Sequence, residues 1–298
     1  MSGRSTSIWT RNKRPTQPCG LVGFLPARFL QKAFHENKGE LAMKRVRTIV
    51  VTGADRGLGY ELARQYAERG EIVFAGAYRA NWHLLEALQA RFPETVHIVE
   101  MDVSSDESVR RAADKILRET ERIDILINNA GVWLDHDNGT ILDGNFDYER
   151  MMRQFNVNAL GSLRVTEALI HAVLKGFDCV VANISSEAGS IYNCKKTSQF
   201  GYCMSKCAMN MWSAIVLNAI QPHGGAVLNF HPGWMQSVIG SSNAPDAPFA
   251  ALPDVQDAKF YITPAQSAEG IIKVLDEPER FSFAHPGFVN YRGDQMLY

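Results

Sequence analysis

At 298 residues, with 46% hydrophobic and 21% charged content, the chain is long enough for one large core and too apolar to be disordered as a whole. A formal charge of −1 gives no field for nucleic acid or an acidic membrane, and no apolar run approaches the ~18 residues of a spanning helix, so small molecules are the expected partners. Five cysteines without a C-x-x-C pair indicate neither a disulfide framework nor a metal site, and they fit a reducing cytoplasm.

Residues 1–42 are rich in arginine and lysine, oppose them with only Glu36 and Glu40, and show no helical or strand period. They read as an extension outside the fold. One reading is an acid-poor transit segment. The preferred one is a translation start at Met43, since Met43-Lys44-Arg45-Val46 runs straight into the first strand and leaves 43–298 as the folded domain. There a β-branched run, Thr48 to Thr52, precedes three glycines within seven positions (Gly53, Gly57, Gly59), and Leu62, Ala63 and Tyr66 begin a helical period. This is strand, tight turn, helix. Bare N–H groups at a helix N-terminus can bond a diphosphate that side chains would hold away, so the loop Gly53-Ala54-Asp55-Arg56-Gly57-Leu58-Gly59 reads as a dinucleotide cradle.

Strands then alternate with helices. The expected strands are Ile72 to Tyr78, Val96 to Met101, Asp124 to Asn128, Cys179 to Ile184, Ala226 to Phe230 and Gly287 to Tyr291. The expected helices are Asn81 to Arg91, Ser105 to Thr120, one long helix from Tyr148 to Leu174, Phe200 to Ile220, and Pro264 to Leu275; Ser241 to Asp257 reads as a loop or lid. Apolar strands without alternation imply an α/β fold, a doubly wound parallel sheet of about seven strands covered on both faces, with ligands beyond the strand C-termini. The second strand ends at Tyr78-Arg79, where an NAD enzyme usually places an acid. Arg79 and Arg56 can instead clamp a 2′-phosphate, which selects NADP(H) over NAD.

Tyr202 and Lys206 stand four residues apart, one turn along the same helix face. A free phenol has a pKa near ~10, and a fixed cation beside it favours the phenolate, so the pair is expected to form a proton shuttle at neutral pH. His231, before Pro232 at a strand end, reads as a structural hydrogen-bonding group, and Cys203 and Cys207 as small packing groups.

Thr52-Gly53 through Gly59, Asp102-Val103, Asn128-Asn129-Ala130-Gly131, Asn158-Ala159-Leu160-Gly161, Ile184-Ser185-Ser186, Tyr202 to Lys206 and Pro232-Gly233 occur in the order of the motifs of the short-chain dehydrogenase/reductase family. The chain resembles that family from about Thr48 onward. Gly201-Tyr202, Ser205-Lys206, His231-Pro232-Gly233-Trp234 and Gly287 to Tyr291 also look like its C-factor and sniffer-type carbonyl reductase branch. The resemblance implies a Rossmann fold and an oxidoreductase interconverting a carbonyl and a secondary alcohol by hydride transfer. Tyr202 would be the acid or base, Ser186 (or adjacent Ser185) would bond the substrate oxygen, Lys206 would bond the nicotinamide ribose, and Asn158 would hold a relay water. Gly53, Gly57 and Gly59 would meet the diphosphate, Asp102 and Val103 the adenine, and Asn129, Ala130 and Gly131 the adenine ribose, with Pro232, Gly233 and Ser237 beside the nicotinamide. The gap from Ser186 to Tyr202 is longer than the family's usual spacing by about three residues, somewhere in Ile191 to Gln199. The resemblance also allows a homo-oligomer. The rival function is an NADP-binding regulatory protein of the C-factor type with little turnover.

Overall fold

The computed structural model describes residues 45–78, 83–134, 139–235, 261–277 and 285–298. The extension 1–42, Arg79, Ser237 and the lid at Ser241 to Asp257 lie outside the described residues. Seven parallel strands form one sheet: β1 (Thr48–Val51), β2 (Ile72–Ala77), β3 (Val96–Glu100), β4 (Ile125–Asn128), β5 (Val180–Ile184), β6 (Ala226–His231) and β7 (Gly287–Asn290). Their spatial order is β3-β2-β1-β4-β5-β6-β7, so the sheet winds outward in both directions from β1 and β4. The crossover helices are α1 (Gly57–Glu68), α2 (Leu84–Arg91), α3 (Asp106–Glu119), α4 (Tyr148–Phe155), α5 (Ser162–Val173), α6 (Phe200–Ile220) and α7 (Pro264–Leu275).

The inner strands are mostly apolar on both sides because each side meets helices. Ile49 and Val51 join Leu62 and Tyr66 of α1, Leu88 of α2 and Ile271 of α7 in one core layer. The intervening Val50 joins Val109 and Ile116 of α3, Leu169 of α5 and Leu217 of α6 in the other. Polar starts fix the helix ends: Ser105 accepts from the Ser108 N–H, Asp147 from the Arg150 N–H, and Thr263 forms a capping box with Gln266 ahead of Pro264.

The helix expected over Tyr148 to Leu174 runs without a break as α4 and α5, with a π-helical turn, Asn156–Gly161, between them. The cause is Asn158. Its Oδ1 accepts from the Val132 N–H (2.8 Å), and its Nδ2 donates to the Val132 carbonyl (2.9 Å) and to Ser205 Oγ (3.0 Å). Seating that amide against the chain after β4 holds the helix in a wider turn, as inserted side-chain bonds do elsewhere.

A row of buried amides crosses the middle of the sheet. Asn128, Asn183 and Asn229 are in register on β4, β5 and β6. Asn128 Nδ2 donates to Asn183 Oδ1 (2.9 Å), Asn183 Nδ2 to Asn229 Oδ1 (3.0 Å), and Ser213 Oγ of α6 also donates to Asn229 Oδ1 (2.8 Å).

Candidate active site

The glycine loop sits where β1 feeds α1. Gly53 and Gly57 hold positive φ (61° and 53°), a conformation that side chains disfavour. A Cβ on Gly59 would fall 2.1 Å from the Gly53 carbonyl oxygen and 2.5 Å from Asn129 Nδ2, whereas one on Gly57 would meet nothing within 4 Å. The loop is therefore closed behind and open in front. Asn129 closes it, donating through Nδ2 to the carbonyls of Thr52 and Gly53 (both 3.0 Å), while Thr52 Oγ1 accepts from the N–H groups of Asn129 and Ala130 (both 3.0 Å). Arg56 precedes α1 without a side-chain cap, and the first turn of α1 carries no acid. An open approach and a first helical turn without an acid fit a dinucleotide diphosphate.

Leu58 is buried behind the loop, and Asp55 is also largely enclosed. At the end of β3, Asp102 accepts from the N–H and hydroxyl of Ser104 (2.9 and 2.7 Å). Val103 packs where a Cβ on Gly161 would come within 2.8 Å of its Cγ2. Beyond β6, Gly233 has φ 84°, the Pro232 carbonyl accepts from Ser267 Oγ (2.7 Å), and the Trp234 carbonyl accepts from the Ile262 N–H (2.9 Å).

Ser186 follows β5 and starts a short 3-10 turn, Glu187–Gly189. Its side chain accepts from the Ala188 N–H (3.1 Å) and hydrogen-bonds the Tyr202 hydroxyl. Ser185 is different. It is buried and donates to Asn210 Oδ1 at 2.8 Å, away from the phenol. Lys206, 2% exposed, donates from Nζ to the Ile184 carbonyl (2.7 Å) and lies 5.8 Å from the centre of the Tyr202 ring. A Cβ on Gly131 would stand 3.3 Å from Asn158 Oδ1 and 3.6 Å from Lys206 Nζ, so these three positions converge. Ser205 Oγ joins them, accepting from Asn158 and donating to the Tyr202 carbonyl (2.8 Å).

Electrostatics at the phenol run opposite to the sequence expectation. Burial pushes Tyr202 up to about 12; the Ser186 hydrogen bond pulls it down by less, and nearby Glu187 adds to the rise. Burial likewise pushes Lys206 down to about 7, because an ammonium loses more solvation than an amine. In the protein alone the pair is a neutral phenol beside a lysine that can lose its charge near neutrality. His231 completes the corner: its Nδ1 accepts from the Glu187 N–H (3.2 Å), and burial holds its pKa below the ordinary histidine value. The supporting Asn210 and Asn183 were not singled out from sequence. Buried polar residues within apolar elements leave no periodic trace, whereas Ser205 lies inside the Tyr202 to Lys206 motif.

Among the described residues no helix is long and apolar enough to cross a membrane, and no cluster of metal-ligating side chains occurs. The family profile described as short chain dehydrogenase matches residues 47–247. An uncharacterized oxidoreductase from Schizosaccharomyces pombe is 30% identical over 253 residues, 83% of this chain and 96% of its own. C-signal from Myxococcus xanthus is 34% identical over 59% of this chain and 93% of its own. NADPH-bound carbonyl reductase from chicken fatty liver superposes with a TM-score of 0.71 at 26% identity, covering 85% of this chain and all of that one. With the profile spanning two thirds of its length and a phenol, lysine and serine gathered at the strand ends, this chain belongs to the short chain dehydrogenase family.

Proposed function

We propose that the protein is an NADP(H)-dependent carbonyl reductase, interconverting a small-molecule carbonyl and a secondary alcohol, with 43–298 as the working domain in the cytoplasm. The observation that carries this reading is the Tyr202 hydroxyl bonded to Ser186 within one turn of a buried lysine. A protein that only senses a nucleotide has no use for a proton donor held beside a second hydroxyl. When bound, the reduced nicotinamide supplies the hydride. The loop from Gly53 to Gly59, with Asp55, Arg56 and Leu58, would hold the diphosphate end, Asp102 and Val103 the adenine, and Asn129, Ala130 and Gly131 the adjoining ribose. Lys206, Pro232, Gly233 and Ser237 would hold the nicotinamide end.

Ser186 orients the substrate oxygen, and Tyr202, protonated at neutral pH, donates to it as the alcohol forms. Lys206 holds positive charge near the phenol whenever it is protonated, and Asn158 fixes the chain after β4 against α6 so that these groups keep their spacing. A homo-oligomer is supported by the stripe Met204, Met211 and Ile215, which α6 leaves exposed.

The test is loss of NADPH absorbance with a panel of aldehydes, ketones and quinones. Turnover of one class is expected. NADPH binding without turnover across the panel would favour the regulatory reading, for which the likeness to C-signal speaks. Arg79→Asp combined with Arg56→Ala is expected to shift the NADPH/NADH preference by about tenfold or more toward NADH, as loss of charge-assisted bonds to a 2′-phosphate would. An unchanged ratio of kcat/KM values would remove these arginines from cofactor selection.

A further inference from the structure

The loop that separates Ser186 from Tyr202 is tied at its middle to a distant part of the chain. Ser190, 2% exposed, donates from Oγ to the Leu297 carbonyl (2.7 Å), and the Tyr192 N–H donates to the Tyr298 carbonyl (2.9 Å). Ser190 Oγ also accepts from the Asn193 N–H (3.1 Å), so one hydroxyl joins both arms of the bend. The other side of the tie is itself braced. After β7 the chain turns back: the Asn290 N–H donates to the Asp294 carbonyl (2.9 Å), the Met296 N–H donates to the Phe288 carbonyl (2.7 Å), and Gln295 forms an antiparallel bridge with Val289. The Tyr298 ring stacks on buried Phe288 (centroids 5.1 Å apart, planes at 26°), and its hydroxyl donates to the Pro286 carbonyl (2.5 Å).

The tied backbone carries two unusual side chains. Ile191 and Tyr192 are 75% and 76% exposed, although the main chain beneath them is hydrogen-bonded. Ordering a loop costs conformational entropy at every residue it fixes. A loop ordered in advance with apolar groups outward spares that cost when something docks against it. Both ends of this loop lead to the reacting groups, Ser186 through Glu187–Gly189 and Tyr202 through Phe200 and Gly201.

We propose that the segment Asp294–Tyr298 is a strut that pre-orders the loop between Ser186 and Tyr202, so that Ser190 and Tyr298 are positioning residues for the substrate, and the substrate offers an apolar surface to Ile191 and Tyr192. The proposal rests on the carbonyl reductase reading. Catalytic groups are anchored separately, Ser186 by the end of β5 and Tyr202 by α6. The strut therefore acts on substrate affinity and leaves the proton step alone.

The experiment compares Ser190→Ala, Tyr298→Ala and Tyr298→Phe in the full chain, reading amide exchange at Tyr192, the NADPH dissociation constant, and kcat and KM for an aromatic aldehyde. Both alanine variants are expected to speed exchange at Tyr192 and raise aldehyde KM about tenfold, the equivalent of one tie, with kcat and NADPH affinity held within about twofold. Tyr298→Phe keeps the stacked ring and is expected to stay near wild type. Unchanged exchange at Tyr192 in both alanine variants would overturn the strut. Faster exchange with unchanged KM, or a fall in kcat alone, would overturn its role toward substrate. A wild-type protein that reduces no carbonyl overturns the reductase reading instead, and the two failures are distinguishable because exchange at Tyr192 is measured without turnover.

Discussion

Tyr202→Phe is expected to lower kcat/KM for carbonyl reduction by about a hundred- to ten-thousandfold, the usual worth of a positioned general acid, while NADPH binds within about twofold of wild type. The ring stays and only the hydroxyl is lost, so packing around α6 is preserved and a stability change cannot account for the result. Stopped-flow measurement of NADPH oxidation, with cofactor titration by fluorescence, separates the two effects. A variant retaining more than a tenth of the wild-type rate would remove Tyr202 from the chemistry. The pH dependence follows from the same burial. A phenol raised to about 12 is protonated throughout the neutral range and ready to donate. The oxidative direction needs the phenolate and should therefore climb with pH across the alkaline range. Lys206, held near 7, is charged below that value and neutral above it. Because its charge makes the phenol a better donor, reductive kcat/KM is expected to fall as pH rises through about 7.

Gly59→Ala is expected to abolish measurable NADPH binding and to destabilise the fold by several kcal/mol. In an unconstrained helix the same change would stabilise by roughly 1 kcal/mol through better helix propensity. Here the new methyl lies 2.1 Å from the Gly53 oxygen and 2.5 Å from Asn129 Nδ2, neither of which can yield without breaking the bonds that shape the loop. Gly57→Ala provides the contrast. Its methyl meets nothing, so the cost comes from φ 53° alone, about 1–2 kcal/mol. Urea melts should place the two variants far apart; equal midpoints would mean that close approach behind the loop does not matter.

Helices α6 and α7 and the seven strands were legible because their apolar patterns persist over whole elements, and α6 and α7 run over the expected residues. The span of the long helix after β4 was legible too, but its π-helical turn was not, because that turn follows from one amide bonding the distant Val132, which local periodicity does not record. Sequence left Ser185 and Ser186 open. The structure separates them by partner, Asn210 for the first and Tyr202 for the second. The motif Tyr202 to Lys206 pointed to a phenol beside a lysine, but the electrostatic sign at the phenol depended on enclosure, which spacing alone does not report: loss of solvation outweighs the Ser186 hydrogen bond. Arg79 and Ser237, on which cofactor choice and nicotinamide contact were placed, fall outside the described residues.

The row of asparagines through β4, β5 and β6 acts as a levelling device for the crevice. One residue past its first rung is Asn129, which braces the glycine loop; three past the second is Ser186; two past the third is His231, which steadies the turn after Ser186. Slipping any of these strands by one residue would displace its tip by about 3.3 Å and would also part its asparagine from the neighbour it bonds across the row. The sheet thus sets the relative heights of three loop origins at once, before any of the loops has closed.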